Sequence, residues 1–179
     1  MLLKMLPLLQ DTFDNQVCCI RGRGPIGSEL TAAGIPVHYL DLHHWMPGWR
    51  YRDAADARER VRAIVGTPEW VMDGNFAETF DLRMPRADTL VWLDYPRVTC
   101  IRRIVTRTIR NYGRRTPDLP DGCPETFDPG VLRFAWRFPA ESRPQILSAL
   151  DRFGGRLNVF RLGNDRDVAA FSRAHGIAR

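Results

Sequence analysis

Short runs rich in β-branched and aromatic residues, each ended by a polar residue and divided from the next by other patterning, confine this chain to few architectures. Val17–Ile20, Pro36–Leu40, Trp70–Met72, Thr89–Leu93 and Leu157–Leu162 read as strands. Ala54–Val65, Arg97–Tyr112, Arg143–Phe153 and Asp165–Ala174 carry apolar residues at helical spacing. Such alternation predicts an α/β fold with a five-stranded parallel sheet between two layers of helices. With 179 residues there is enough chain for one well-filled core, so the whole of 1–179 is expected to form a single domain.

In a parallel sheet, ligands sit beyond the carboxyl ends of the strands. Those positions hold Gly22–Ser28, Asp41, the run Asp73-Gly74-Asn75 and the run Asp94-Tyr95-Pro96-Arg97. One aspartate after a strand is an ordinary helix cap or turn former. Three at equivalent ends repel one another unless a cation or a basic group joins them, which points to an anion-handling or metal-handling edge.

Charge leans the same way. The formal net charge is +5, and of the 26 basic residues all but Lys4 are arginine. The guanidinium fork suits phosphate and carboxylate, so anionic partners are expected. Between Tyr95 and Pro117 there is no carboxylate, yet Arg103, Arg107, Arg110 and Arg114 recur at helical spacing as one basic stripe opposite Ile101, Ile104, Val105 and Thr108, which can face the sheet. Three readings stay open for the stripe: a lid closing on a triphosphate, a solvated face balanced by carboxylates from elsewhere, and a nucleic-acid surface. The loop Thr116–Gly130, with its four prolines, is the one long irregular stretch and is expected to be a lid or a plain connection.

The four cysteines, Cys18, Cys19, Cys100 and Cys123, have no C-x-x-C spacing, and with the four histidines they are poorly spaced for zinc. Free thiols imply a reducing compartment. The apolar start, Met1 to Leu9, is broken by Lys4 and Pro7 and is too short to span a bilayer. A cytoplasmic protein without membrane association is expected.

The first strand candidate runs into Gly22-Arg23-Gly24-Pro25-Ile26-Gly27-Ser28-Glu29, which has two glycines at the spacing of the phosphate loop G-x-x-x-x-G-K-[ST]. Ser28 stands at the lysine position and Glu29 at the hydroxyl position.

Several longer runs carry a resemblance. They are His38-Tyr39-Leu40-Asp41 with His44-Trp45-Met46-Pro47-Gly48-Trp49, Trp70-Val71-Met72-Asp73-Gly74-Asn75-Phe76, Leu82 to Thr89, Trp92 to Arg97, Cys123-Pro124-Glu125 and Phe134 to Pro139. Over roughly residues 35–170 the chain resembles the adenylate-kinase-like P-loop proteins known as DNA topology modulation proteins. The resemblance implies a three-layer nucleoside-kinase-like fold, ATP with Mg²⁺ as cofactors, and phosphoryl transfer to a small acceptor. It assigns phosphate cradling to Gly22, Gly24, Gly27 and Ser28, Mg²⁺ to Asp73, and the charge-stabilising lid, within residues 98–130, to Arg103, Arg107, Arg110 and Arg114. It gives the acceptor pocket Asp41, Asn75 and Arg83, and Trp45 is a candidate for stacking on a substrate base.

Residues 1–34 depart from that pattern. Only Glu29 to Ala33 separate the loop from the second strand, and five residues rise about 7.5 Å as helix, whereas a parallel crossover takes a dozen or more. The first crossover helix is therefore expected to be short or missing, and residues 1–34 read as a degenerate version of the family's beginning, by deletion or frameshift. Loss of a positioned lysine charge in the transition state costs on the order of 3–4 kcal/mol. The alternative expectation is a relative that has lost turnover and binds anions or nucleic acid through its arginines.

Overall fold

The computed structural model describes residues 37–67, 70–114 and 120–174. β1 (Val37–Tyr39) runs without a break into the short α1 (Leu40–His44), and β2 (Trp45–Met46) and β3 (Arg50–Tyr51) form a small antiparallel hairpin. Gly48 and Trp49 turn it, both at positive φ, +77° and +57°. α2 (Ala54–Val65) starts where the Asp53 carboxylate accepts from the amides of Ala55 and Asp56, and it buries Ala57, Val61, Ile64 and Val65 at helical spacing.

β4 (Val71–Asp73) pairs with β1 in parallel, Tyr39 opposite Asp73. Gly74 follows at φ +141°, where a Cβ would come within 2.7 Å of the Leu40 Cβ, so the chain passes here only as glycine. A tight turn (Ala77–Thr79), α3 (Phe80–Arg83) and a second turn (Met84–Arg86) lead to β5 (Thr89–Leu93), which pairs in parallel with β6 (Asn158–Leu162). Between those two strands lie α4 (Arg97–Asn111) and the long α5 (Pro129–Phe153), which pack on each other. α6 (Asp165–Ala174) closes the described chain, its first turn capped by the Asn164 side chain.

One core unites these pieces. Leu40, Trp70, Met72, Leu90, Trp92 and Ile146 are each at most 1% exposed, and each such side chain contributes about 1.5–3 kcal/mol by leaving water.

The architecture is mixed α/β with small parallel sheets. The expectation of a five-stranded sheet needs correction at this level: the described strands form two-stranded sheets, β1 with β4 and β5 with β6, beside the hairpin. The fifth candidate, Val17–Ile20, and the first crossover lie outside the described residues. The main packing partner of α4 is α5, where the sequence offered Ile101, Ile104, Val105 and Thr108 to a sheet. The irregular stretch expected to end at Gly130 gives way to helix at Pro129, and α5 runs through Pro139 and Pro144.

Candidate functional site

The level pairing of Tyr39 with Asp73 brings the carboxyl ends of β1 and β4 side by side. Asp73 closes β4 and is 6% exposed, while Asp41 lies in the first turn of α1. Asn75 follows in the loop, its side-chain oxygen buried and without a hydrogen-bond partner among the described residues. Arg83, expected on the pocket wall, is fully buried instead. Its guanidinium donates to Thr79 Oγ1 at 3.0 Å and to the carbonyls of Gly74, Asn75 and Phe76 at 3.2, 2.7 and 3.2 Å, and it lies over the Phe80 ring. A fork on three successive carbonyls fixes the loop after β4, so Arg83 shapes the edge from beneath.

The hairpin supplies an aromatic cluster. Tyr51 lies 4.0 Å from Trp45 between centroids, and Trp49 meets Trp45 edge-on at 5.5 Å. Trp45, the residue expected to stack on a base, is thus already flanked by two rings, and Tyr51 presents the outer face, 68% exposed. Beside it His44 stacks on Phe76 and donates from Nδ1 to the Leu40 carbonyl at 2.9 Å. A carbonyl only accepts, so the proton sits on Nδ1 and the buried Nε2 carries the lone pair, 3.9 Å from Glu78 Oε1. Burial holds the His44 proton affinity below the ordinary histidine value, and Asp41 and Glu78, after burial, push that of the Tyr51 hydroxyl up. His44, Tyr51 and Glu78 escaped the sequence reading, because their meeting depends on tertiary packing.

Arg103, Arg107 and Arg110 lie on the exposed side of α4, but the helix ends at Asn111 and Gly113 turns the chain at φ +70°, so Arg114 lies beyond the helix and the expected four-arginine stripe is cut short. Its arginines divide into two kinds. Arg103 pairs with Asp165 and lies over the Tyr95 ring, and Arg107 donates to the buried Glu125 carboxylate, which also accepts from Thr108. Arg110 and Arg114 make no ion pair among the described residues. Just before Glu125 the connection fastens to the hairpin: the Gly48 amide donates to the Gly122 carbonyl, the Trp49 amide to Cys123 Sγ, and that thiol to the Met46 carbonyl at 3.3 Å. The stripe, the loop, the hairpin and the strand ends are therefore contiguous. No protein-family model, curated protein or solved structure matches this chain.

Of the three strand-end aspartates, Asp94 is spoken for: Arg143 grips it through both oxygens at 2.7 and 2.8 Å, and Arg161 joins at 2.7 Å. Gly22, Gly24, Gly27 and Ser28 lie outside the described residues. Among the described residues no three His, Cys, Asp or Glu side chains group as a metal cage, and no helix is long and apolar enough to cross a membrane. Cys100 and Cys123 are free thiols.

Proposed function

We propose that this chain is a nucleotide-binding protein of the phosphotransfer type, built on a five-stranded sheet completed by Val17–Ile20, with its transfer step impaired. The observation carrying this reading is that Arg110, in the last turn of α4, and Arg114, in the loop just past it, make no ion pair among the described residues, and that this loop is fastened to the hairpin beside Asp41 and Asp73. Cations facing phosphate oxygens across a carboxylate-bearing edge form the division of labour that phosphoryl transfer uses.

Mg²⁺ retains much of its water shell and binds proteins through one or two carboxylates plus substrate phosphates, and the strand-end carboxylate of Asp73 fits that donor set. When bound, the ion would supply charge neutralisation at the phosphate oxygens. The chain's own residues do the rest. The amides around Gly22, Gly24 and Gly27 cradle phosphate, Arg110 and Arg114 hold charge that develops on transfer, and Asp41 and Asn75 orient the acceptor. Arg103 and Arg107 serve chiefly as fasteners for Asp165 and Glu125. The free thiols fit a cytoplasmic setting.

Ser28 and Glu29 favour a second reading, a relative that binds anions or nucleic acid without turnover, because neither residue replaces the missing ammonium. Turnover of ATP by the wild-type chain and by Ser28→Lys separates the two. The first reading predicts measurable wild-type transfer and a gain of a few hundredfold in the variant, equivalent to about 3–4 kcal/mol. Nucleotide binding in both proteins with no product from either would establish the second reading and end the first.

A further inference from the structure

The group beside the hairpin differs in chemistry from the arginine stripe and faces a different kind of ligand. The negative charges of Glu78 and Asp41 both act on the Tyr51 hydroxyl, and the Glu78 side chain, 3.9 Å from His44 Nε2, is 60% exposed. Arg58, the nearest guanidinium partner of that turn, takes the Glu78 backbone carbonyl and bonds its own carboxylate, Asp81. Arg52 is engaged by Asp56, and Arg83 is spent on carbonyls below. Among the described residues His44 is the one basic side chain within 4 Å of the exposed Glu78 carboxylate.

His44 is the second observation. It is 5% exposed, its Nδ1 proton is committed to Leu40, and its Nε2 acceptor is buried with no hydrogen-bond partner among the described residues. A buried acceptor left unsatisfied costs about 1–3 kcal/mol, a debt that an N–H donor arriving between His44 and Glu78 cancels. The aromatic surface extends the match, since the faces of Trp45, Trp49 and Tyr51 attract cations.

We infer that Asp41, His44 and Glu78, with the hairpin rings Trp45, Trp49 and Tyr51, form a binding site for an organic ammonium group. His44 Nε2 accepts, Asp41 and Glu78 carry negative charge, the Tyr51 hydroxyl can accept as well as donate, and Arg52, whose charge reaches His44, is paired with Asp56; an ammonium brings both protons and compensating charge to this set. Resting on the phosphotransfer reading, the site further names the acceptor class: a small amine-bearing molecule, anchored by its ammonium at the hairpin.

Calorimetric titration with butane-1,4-diamine, against the equally long but neutral butane-1,4-diol, tests the site on the intact protein. The expected result is saturable one-to-one binding of the diamine, at least tenfold weaker binding of the diol, and a loss of tenfold or more in Glu78→Gln and in Tyr51→Ala. Both variants change exposed side chains, so folding is retained. Absence of saturable heat up to millimolar diamine overturns the inference, as does equal affinity for the diol or unchanged affinity in both variants. ATP titrated into the same protein keeps the two ideas apart: diamine binding without ATP binding leaves the ammonium site standing and removes its role as acceptor site, and ATP binding without diamine binding removes the ammonium site alone.

Discussion

Arg83 carries a full charge with none of its surface in water, held by four oxygens of its own loop. Replacing it with methionine leaves those acceptors unsatisfied, so Arg83→Met should lower unfolding stability by about 3 kcal/mol in urea titration. Arg83→Lys keeps the charge without the fork and should recover less than half of that loss. A fully tolerated lysine would show that charge alone is what the loop needs. His43 makes the corresponding case for pH. Burial, His38, Arg60, His44 and Arg52 together lower its folded-state pKa to about 4, against about 6.5 unfolded. The unfolded chain therefore binds more protons between those values. Stability is fully present above pH 6.5 and falls as pH drops toward 4, by about 2 kcal/mol once partial exposure is allowed for. His43→Asn should flatten that decline, which urea midpoints at pH 7.5 and 5 will read. The placement of Asp41 and Asp73 was legible in the sequence because a strand ends beside each. The role of His44 was not, since its ring acquires meaning only when Glu78, 34 positions later, arrives beside it.

Among elements, the connection after α4 behaves as a strap over the hairpin. Buried Glu125 ties it to Arg107 and Thr108, its backbone exchanges hydrogen bonds with Gly113 and Arg114, and Cys123 lies wholly buried against Met46 and Trp49. Glu125→Gln removes the charge and weakens both side-chain bonds, and should destabilise by about 1–3 kcal/mol. The strap should then open more often and alkylation of Cys123 should accelerate several-fold. An unchanged rate would mean that the strap is held by the hairpin contacts alone. Periodicity gave α2 and α6 to the residue and α4 to within one, because each is a single amphipathic stretch, α2 and α6 with a side-chain cap at the start and α4 opening just after Pro96. The first half of α5 was hidden by Pro139 and Pro144, which read as breakers yet are carried inside a long packed helix. The hairpin was hidden too, since two-residue strands have no measurable alternation. Its turn depends on a tryptophan at positive φ held by contacts some 74 positions away.

For the whole molecule, net charge of +5 and a carboxylate-poor α4 make association with anions the dominant electrostatic expectation. Internal pairing consumes part of that charge at Asp94, Glu125 and Asp165, and under the proposed function Arg110 and Arg114 are the cations assigned to the phosphates. The fold class was readable because strand and helix signals alternate along the chain, whereas pairing order was not, since it depends on contacts as distant as Thr89 with Asn158. Calorimetric titration of ATP with Mg²⁺ at low ionic strength, on the wild type and on the doubly substituted Arg110→Ala, Arg114→Ala, bears most directly on the central claim. The account predicts saturable one-to-one binding that weakens as salt rises, and a tenfold or greater loss in the double variant. No saturable heat at millimolar ATP, or equal affinity in the two proteins, would contradict it.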